Sequence, residues 1–449
     1  MTLHREPDEA TVNSPASSRG IEPHQYRNEC VYRCPGERGA ISRAVHLGRL
    51  SAGYAACRDC EHRHDLGALP LSTFPPGPHG TGFQNSPQND CSSSVPASQD
   101  SLCGILHNQI TRPLTEQYVA RFVDIQSGHL RQSAPSRTRP TLVVGQDGGT
   151  CIPELLTWIV PQLRRAGAAV IDVGSLPRPG WQFAVQHLRA TGGLYLSGDS
   201  SYSRLSGDTR SSLPGLVSLS FCGDQGEPWS SPGRLVSLQE VPEAADTVRW
   251  SRIAGSYRTF EAVTPWLTGL QKHFLSPRRI LLAASEVFHR TLLAGPQFPG
   301  AQIVAWEGPA VQQIESRHFG QSVVSQDADL GLVVHPDDQT VTAFASSGQQ
   351  IPAETLAVRL IEQVGTRVAR PTVVCSSADF GQLRARLAAG RVRVLDGGDT
   401  TESCALRMIE EQADCGVDPN SRFWLRDPHV SCDALVTLSL ILQCPVNAG

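Results

Sequence analysis

The chain has 449 residues, 40% of them hydrophobic and 18% charged, with a formal net charge of −4; this length suits about three domains. The mild acidity gives no field for capturing nucleic acid, and no basic stripe offsets it. No apolar run approaches the roughly 18 residues needed to cross a bilayer, and the charged start MTLHREPDEATV lacks the apolar stretch of a signal peptide, so the sequence reads as a cytoplasmic protein without a membrane partner.

In chain order, residues 1–26 are polar and read as a disordered tail. Residues 27–65 hold two cysteine pairs, CVYRC (Cys30, Cys34) and CRDC (Cys57, Cys60), with 22 residues between them. This spacing suits one tetrahedral structural Zn²⁺ joining two knuckles, a zinc-ribbon-like module too small to fold without its metal. His46, His62 or His64 could replace one thiol, and coincidental cysteines or a redox dithiol are the competing readings. Such a module would bind a protein partner or a neighbouring domain. Its Arg33, Arg38, Arg43 and Arg49 are offset by Glu29, Glu37, Asp59 and Glu61, which argues against nucleic acid. The other cysteines of the 13 mostly stand singly in apolar surroundings, as Cys375 and Cys432 do, and suit buried thiols in a reducing compartment.

Residues 66–100 are rich in Pro, Ser and Gly and read as a linker. Beyond it strands and helices alternate. TLVVG (141–145), AAVIDVG (168–174) and GLYLS (193–197) have the apolar character of buried strands. Between them, 152–167 and 180–192 carry helical spacing, with Pro153 suited to a first turn and Pro161 expected to kink the first helix or shift its start. The pattern returns with strands at 278–285 and 329–335, then strands at 370–377 and 391–398 and a helix over 401–414; 434–446 reads as a core helix. RPTLVV at 139 and RPTVVC at 370 read as echoes of one repeated unit. The fold class is therefore α/β: three tandem α/β/α domains at 101–245, 250–364 and 368–445, built on right-handed crossovers.

The stretch VVGQDGGTCIPELLTWIVPQLRRAGAAVIDVGSLPRPGWQFAVQHLRATGGLYLSGDSSYSRLSG resembles, in order and spacing, the first domain of the α-D-phosphohexomutases, the superfamily of phosphoglucomutase and phosphomannomutase. The resemblance implies that fold over 101–445. It also implies phosphoryl transfer between sugar positions through a phosphoserine in a loop similar to Thr-Ala-Ser-His-Asn-Pro. Laid on Ser197–Tyr202, that loop puts Asp199 at the serine position and Ser200 at the histidine. A serine holds a stable phosphoester, whereas an aspartate carries only a labile acyl phosphate.

DLGLVVHPDDQT (329–340) resembles the strand and metal loop Asp-Leu-Gly-Ile…Asp-Gly-Asp-Ala-Asp-Arg, with His335 and Gln339 replacing carboxylates and Asp337 retained. These changes weaken Mg²⁺ binding; a set of Asp199, His335 and Asp337 would suit Zn²⁺ or Mn²⁺ better, and an empty polar loop is the plainer reading. GVDPNSR (416–422) is similar to the sugar-recognition loop Gly-Gly-Glu-x-Ser-Gly-His and puts Asp418, Asn420 and Arg422 toward a sugar. Asp433 matches the acid that opens the last helix of that domain. Gln146 and Leu106 replace family arginines, no lysine follows Lys272 to act as acid/base, and no phosphate-gripping fourth domain is expected.

The sequence thus reads as a catalytically impaired member that binds a sugar phosphate or a protein partner. The alternatives are an active metal-assisted phosphotransferase or phosphatase using Asp199, and an interaction protein centred on the zinc module.

Overall fold

The computed structural model describes residues 31–32, 41–42, 97–98, 100–133, 139–198, 215–231, 233–239, 251, 253–271, 278–294, 301–309, 311, 314–387, 392–426 and 429–443. The chain divides into two compact units, Met1–Pro87 and Gln88–Gly449. In the first, the described residues are an antiparallel pair, β1 (Val31–Tyr32) and β2 (Ile41–Ser42). Cys30, Cys34, Cys57 and Cys60 lie outside the described residues.

The second unit contains three sheets. The first has the order β3-β4-β8-β7-β5-β6-β9. Its strands are β3 (Ala97–Ser98), β4 (Ser101–Ile105), β5 (Thr141–Gln146), β6 (Ala169–Ser175), β7 (Gly192–Ser197), β8 (Leu216–Cys222) and β9 (Tyr257–Thr259). The second sheet orders β10 (Arg278–Ala283), β11 (Ala301–Ala305), β12 (Leu330–Val334) and β13 (Val341–Ala345) as β11-β10-β12-β13. The third orders β14 (Thr372–Cys375), β15 (Arg393–Asp396), β16 (Cys415–Val417), β17 (Phe423–Arg426) and β18 (Val430–Cys432) as β15-β14-β16-β17-β18.

One four-strand pattern recurs in all three: β6-β5-β7-β8, β11-β10-β12-β13 and β15-β14-β16-β17. In each, three strands are parallel and the fourth is antiparallel. The RPTLVV and RPTVVC echoes open β5 and β14, which hold the same place in this pattern. Strand order reverses at β5, β10 and β14, and the loops at the carboxyl ends of such strands are where an open α/β sheet forms a crevice.

The helices in chain order are α1 (Arg112–Ser133), α2 (Ile152–Arg165), α3 (Arg178–His187), α4 (Arg234–Gln239), α5 (Val263–Gln271), α6 (Glu286–Ala294), α7 (Ser316–Ser325), α8 (Ala353–Gly365), α9 (Ser377–Arg386), α10 (Thr401–Glu410) and α11 (Ala434–Gln443). Helix α2 starts at the expected place and runs through Pro161. The ring removes one backbone donor, but Trp158, Ile159, Gln162 and Leu163 are buried around it, so packing keeps the turn helical. Helix α3 begins two residues before the expected Gly180 and stops at His187, because Pro179 fits a first turn and Ala190–Thr191 already lead into β7. Helix α11 is buried along almost its whole length, as its unbroken apolar character requires. No described helix is long and apolar enough to cross a membrane.

Two features depart from the sequence reading at the edges of the first domain. Ala97–Ser98 pairs with Ser101–Leu102, and the Asp100 side chain is buried, so the end of the expected linker is part of the fold. Tyr257–Thr259 joins the first sheet beside β6, and that sheet therefore extends past residue 245. One apolar cluster spans the second and third sheets, with Trp266, Phe288, Leu332, Leu360, Val417 and Leu438 among its members. Two further clusters flank the first sheet, packed around Phe122–Trp229 on one side and Trp181–Tyr195 on the other.

Candidate functional site

The turn after β12, residues 335–340, is wedged among all three sheets. Its backbone closes through His335 N–H to the Thr340 carbonyl at 2.9 Å and Asp338 N–H to the His335 carbonyl at 2.8 Å. Asp337 Oδ1 accepts from the backbone N–H groups of Gln339 (3.1 Å) and Thr340 (2.9 Å), while Oδ2 accepts from the Thr340 hydroxyl at 2.6 Å. The same Oδ2 accepts from Arg422 Nε of the third domain at 3.1 Å. Burial alone would push the Asp337 carboxyl up, but the Arg422 charge and these donors more than offset it and hold the group below the usual carboxylate range.

Arg422 lies between β16 and β17 and is buried. Its Nη1 donates to Asp100 Oδ2 of the first domain at 2.6 Å and stands 3.8 Å from Asp418 Oδ2. Asp418 is fully buried; its Oδ1 accepts from the Asn420 and Arg422 backbone N–H groups, and its Oδ2 from Trp424 Nε1 at 3.3 Å. Burial nonetheless raises the Asp418 carboxyl above its ordinary value. Asn420 donates to the Thr401 hydroxyl at 3.0 Å.

Asp338 faces the other way from Asp337, because its φ is +57°, a left-handed geometry that aspartate tolerates. Its Oδ1 accepts from the Ser285 hydroxyl at 3.1 Å and its Oδ2 from the Arg178 backbone N–H at 3.3 Å. Burial pushes this carboxyl up to about 7, with the Asp337 charge adding to the effect. Gln339 completes the wedge: its Nε2 donates to Gln182 Oε1 of the first domain at 2.7 Å and to the Cys432 carbonyl of the third at 3.4 Å.

Asp338 and Ser285 also line a cavity of about 600 Å³ between the first and second domains. Asp147, Gly148 and Gly149, after β5, form one wall; His289, Arg290 and Trp306 form the other. Asp147 Oδ2 accepts from the Gly198 backbone N–H at 2.9 Å, which brings the carboxyl end of β7 to the cavity. Arg290 Nη2 donates to the Ser175 hydroxyl at 3.2 Å and is otherwise exposed. Burial lowers the His289 imidazole below its ordinary value, so the ring is neutral near pH 7.

Residues 104–202 match the family model for phosphoglucomutase/phosphomannomutase, alpha/beta/alpha domain I. Over that stretch the chain is similar to the first domain of the phosphoglucomutase/phosphomannomutase family. Its fold is similar to that of a phosphoglucomutase/phosphomannomutase family protein from Burkholderia thailandensis, with a TM-score of 0.60 at 14% identity, covering 78% of this chain and 76% of that one. It is also similar to parafusin, a phosphoglucomutase and exocytosis-sensitive phosphoprotein from Paramecium in its open form, with a TM-score of 0.54 at 10% identity, covering 78% and 69%. No curated protein matches the sequence. At these identities the likeness carries the fold.

The turn 335–340, which the sequence reading likened to a phosphohexomutase metal loop, has residues that do not fit a divalent metal. Mg²⁺ needs several hard oxygens converging on one point. Both Asp337 oxygens are taken by protein donors, the Asp338 oxygens are bonded to Ser285 and Arg178, and His335 Nε2 is 2.7 Å from the Thr342 hydroxyl. Among the described residues no cluster of three or more His, Cys, Asp or Glu is placed to hold a metal. Asp199 and Ser200 lie outside the described residues. Leu106, which the sequence reading set at a family arginine position, is packed into the core, and Gln146 Oε1 accepts from the Gly148 N–H at 2.9 Å. Asp433 opens α11 as expected: Oδ1 accepts from Leu435 N–H at 2.7 Å and Oδ2 from Trp266 Nε1 at 2.9 Å.

The structure therefore joins Asp337, Asp418 and Arg422, three residues singled out by sequence, but it joins them to one another. Sequence reasoning missed Asp100, which sits at the end of a Pro/Ser-rich stretch, and Ser285, a single hydroxyl after a strand. Neither carries a local signal; only the packing of three sheets brings them to 335–340.

Proposed function

We propose that this chain is a phosphohexomutase-fold binding protein that does not interconvert sugar 1- and 6-phosphates. The observation that carries this reading is the double commitment of Asp337, whose two oxygens accept from Gln339, Thr340 and Arg422 rather than facing a ligand. Mutase chemistry needs a metal to neutralise the transferring phosphoryl group, and removing one preorganised partner of that kind costs about 3–4 kcal/mol of transition-state stabilisation. The binding site we assign is the cavity between the first and second domains. Arg290 offers a charge for a phosphate, the Ser285 hydroxyl an acceptor for a sugar hydroxyl, and Trp306 a face for a sugar ring.

The test is a coupled assay with glucose 1-phosphate and mannose 1-phosphate, Mg²⁺ and the bisphosphate activator, run beside calorimetric titration of the same sugar phosphates. We expect binding that Arg290→Ala weakens, with no turnover. Turnover above about 1 s⁻¹, the low end of ordinary enzymes, would overturn the reading, as would binding that Arg290→Ala leaves unchanged.

For the N-terminal unit we propose a structural zinc held by Cys30, Cys34, Cys57 and Cys60. The antiparallel pairing of Val31–Tyr32 with Ile41–Ser42, adjoining the first cysteine pair, supports a ribbon-like module. Elemental analysis of the full chain should find one zinc, lost in a Cys57→Ser/Cys60→Ser variant; a metal-free protein purified without chelator would refute it.

A further inference from the structure

We infer that Arg422 is a built-in counter-ion that fastens the three domains together at the place where phosphohexomutases are expected to hold a metal. One guanidinium reaches carboxylates of every domain: Asp100 of the first at 2.6 Å, Asp337 of the second at 3.1 Å, and Asp418 of its own domain at 3.8 Å. Arg422, Asp100 and Asp418 are each at most 8% exposed. A fixed cation with donors in a planar fork can satisfy separate carboxylates in different directions, which a hydrated Mg²⁺ could do only if they converged within its shell. The arginine lies within the loop resembling the sugar-recognition loop, and its guanidinium is spent on carboxylates of the protein itself.

The surroundings agree with a fastening rather than a free contact. Gln339, two residues from Asp337, bonds to Gln182 and Cys432, again one partner in each flanking domain. Trp266, at the start of α5, bonds to Asp433 of the third domain beside it. Asp337, Gln339 and Trp266 thus each bond to the third domain, and Arg422 is the cation that bonds to Asp337. The consequence is a closed arrangement that does not depend on added metal. This inference stands apart from the proposed ligand cavity, which lies on the Asp338 side of the same turn.

The experiment uses the full chain and three measurements. First, Arg422→Ala is expected to lower the melting temperature by about 10 °C, since stripping one partner from a buried ion pair is strongly destabilising. Millimolar guanidinium should recover part of the loss in this variant and nothing in the parent, with sodium chloride of equal ionic strength as control. Second, Arg422→Gln combined with Asp337→Asn is expected to melt higher than the two single losses added together predict, because the pair is coupled. Third, hydrogen exchange in Arg422→Gln should rise together at 101–105, 335–342 and 416–422. Exchange confined to 416–422, or a melting temperature within about 2 °C of the parent in both Arg422 variants, would overturn the inference. So would a Mg²⁺- or Mn²⁺-induced rise in the parent's melting temperature that Asp337→Asn abolishes. If Arg422→Ala does not fold, the exchange and double-variant measurements decide alone.

Discussion

Asp338→Asn isolates the cost of burying a carboxyl beside another one. The Asp338 carboxyl is buried next to the ionised Asp337 and is raised from 3.8 to about 7. A carboxyl whose folded value lies above its unfolded value binds more protons in the native state over the interval between the two. Stability therefore falls as pH rises from about 4 to about 7 and levels off above that. Each unit is worth about 1.4 kcal/mol, so the full displacement is worth about 4 kcal/mol, of which about 3 kcal/mol falls between pH 5 and pH 8. Asparagine tolerates the same left-handed backbone. Its amide oxygen can accept from the Arg178 N–H, and its amide nitrogen can donate to the Ser285 oxygen, so the local bonds persist without the charge. Thermal unfolding followed by calorimetry at pH 5 and pH 8 should show Asp338→Asn gaining on the parent by about 5 °C or more at the higher pH. An advantage that stays constant across that interval would refute the reasoning, since any purely steric effect of the substitution is independent of pH.

Two glycines should respond with opposite signs. A Cβ on Gly193 would stand 2.8 Å from Trp181 and Val185 side-chain atoms inside the core, so Gly193→Ala should cost about 1–3 kcal/mol by overpacking, whereas Gly128, at a half-buried position of helix α1, has nothing within 4 Å of such an atom and its alanine variant should stabilise by about 0.5–1 kcal/mol; melting temperatures of the pair check this, and equal shifts would count against it. Among the described cysteines, Cys103 and Cys151 are half-buried, while Cys222, Cys375, Cys404, Cys415 and Cys432 are buried. Burial pushes the Cys375 thiol up to about 12, and the thiolate is the reactive form. Site-resolved alkylation of the native protein should therefore label Cys103 and Cys151 well before the other five, and Cys375 or Cys432 labelling as fast as Cys151 would contradict the packing.

Helix and strand order in the α/β body was legible because apolar periodicity is a local property. Buried strands such as LYLS and LVV must be apolar on both faces when helices cover the sheet, and the RPT-strand echo marks the equivalent first strand of two units. The short strands β16–β18 escaped that reading, since three- and four-residue runs have no period to detect, and the longer antiparallel strands β8 and β13 were not read from sequence either. The candidate site divides the same way. Asp337, Asp418 and Arg422 stand out by position in loops that resemble phosphohexomutase loops, so the residues were identifiable from sequence. Their partners were not. Whether Arg422 faces a sugar or a carboxylate depends on where Asp100, some 320 residues earlier, arrives in space, at 2.6 Å in the folded chain. Spacing along a chain fixes neighbours within a helix or a strand; contacts between domains are fixed by how separate cores pack, and that is decided only when the whole body assembles.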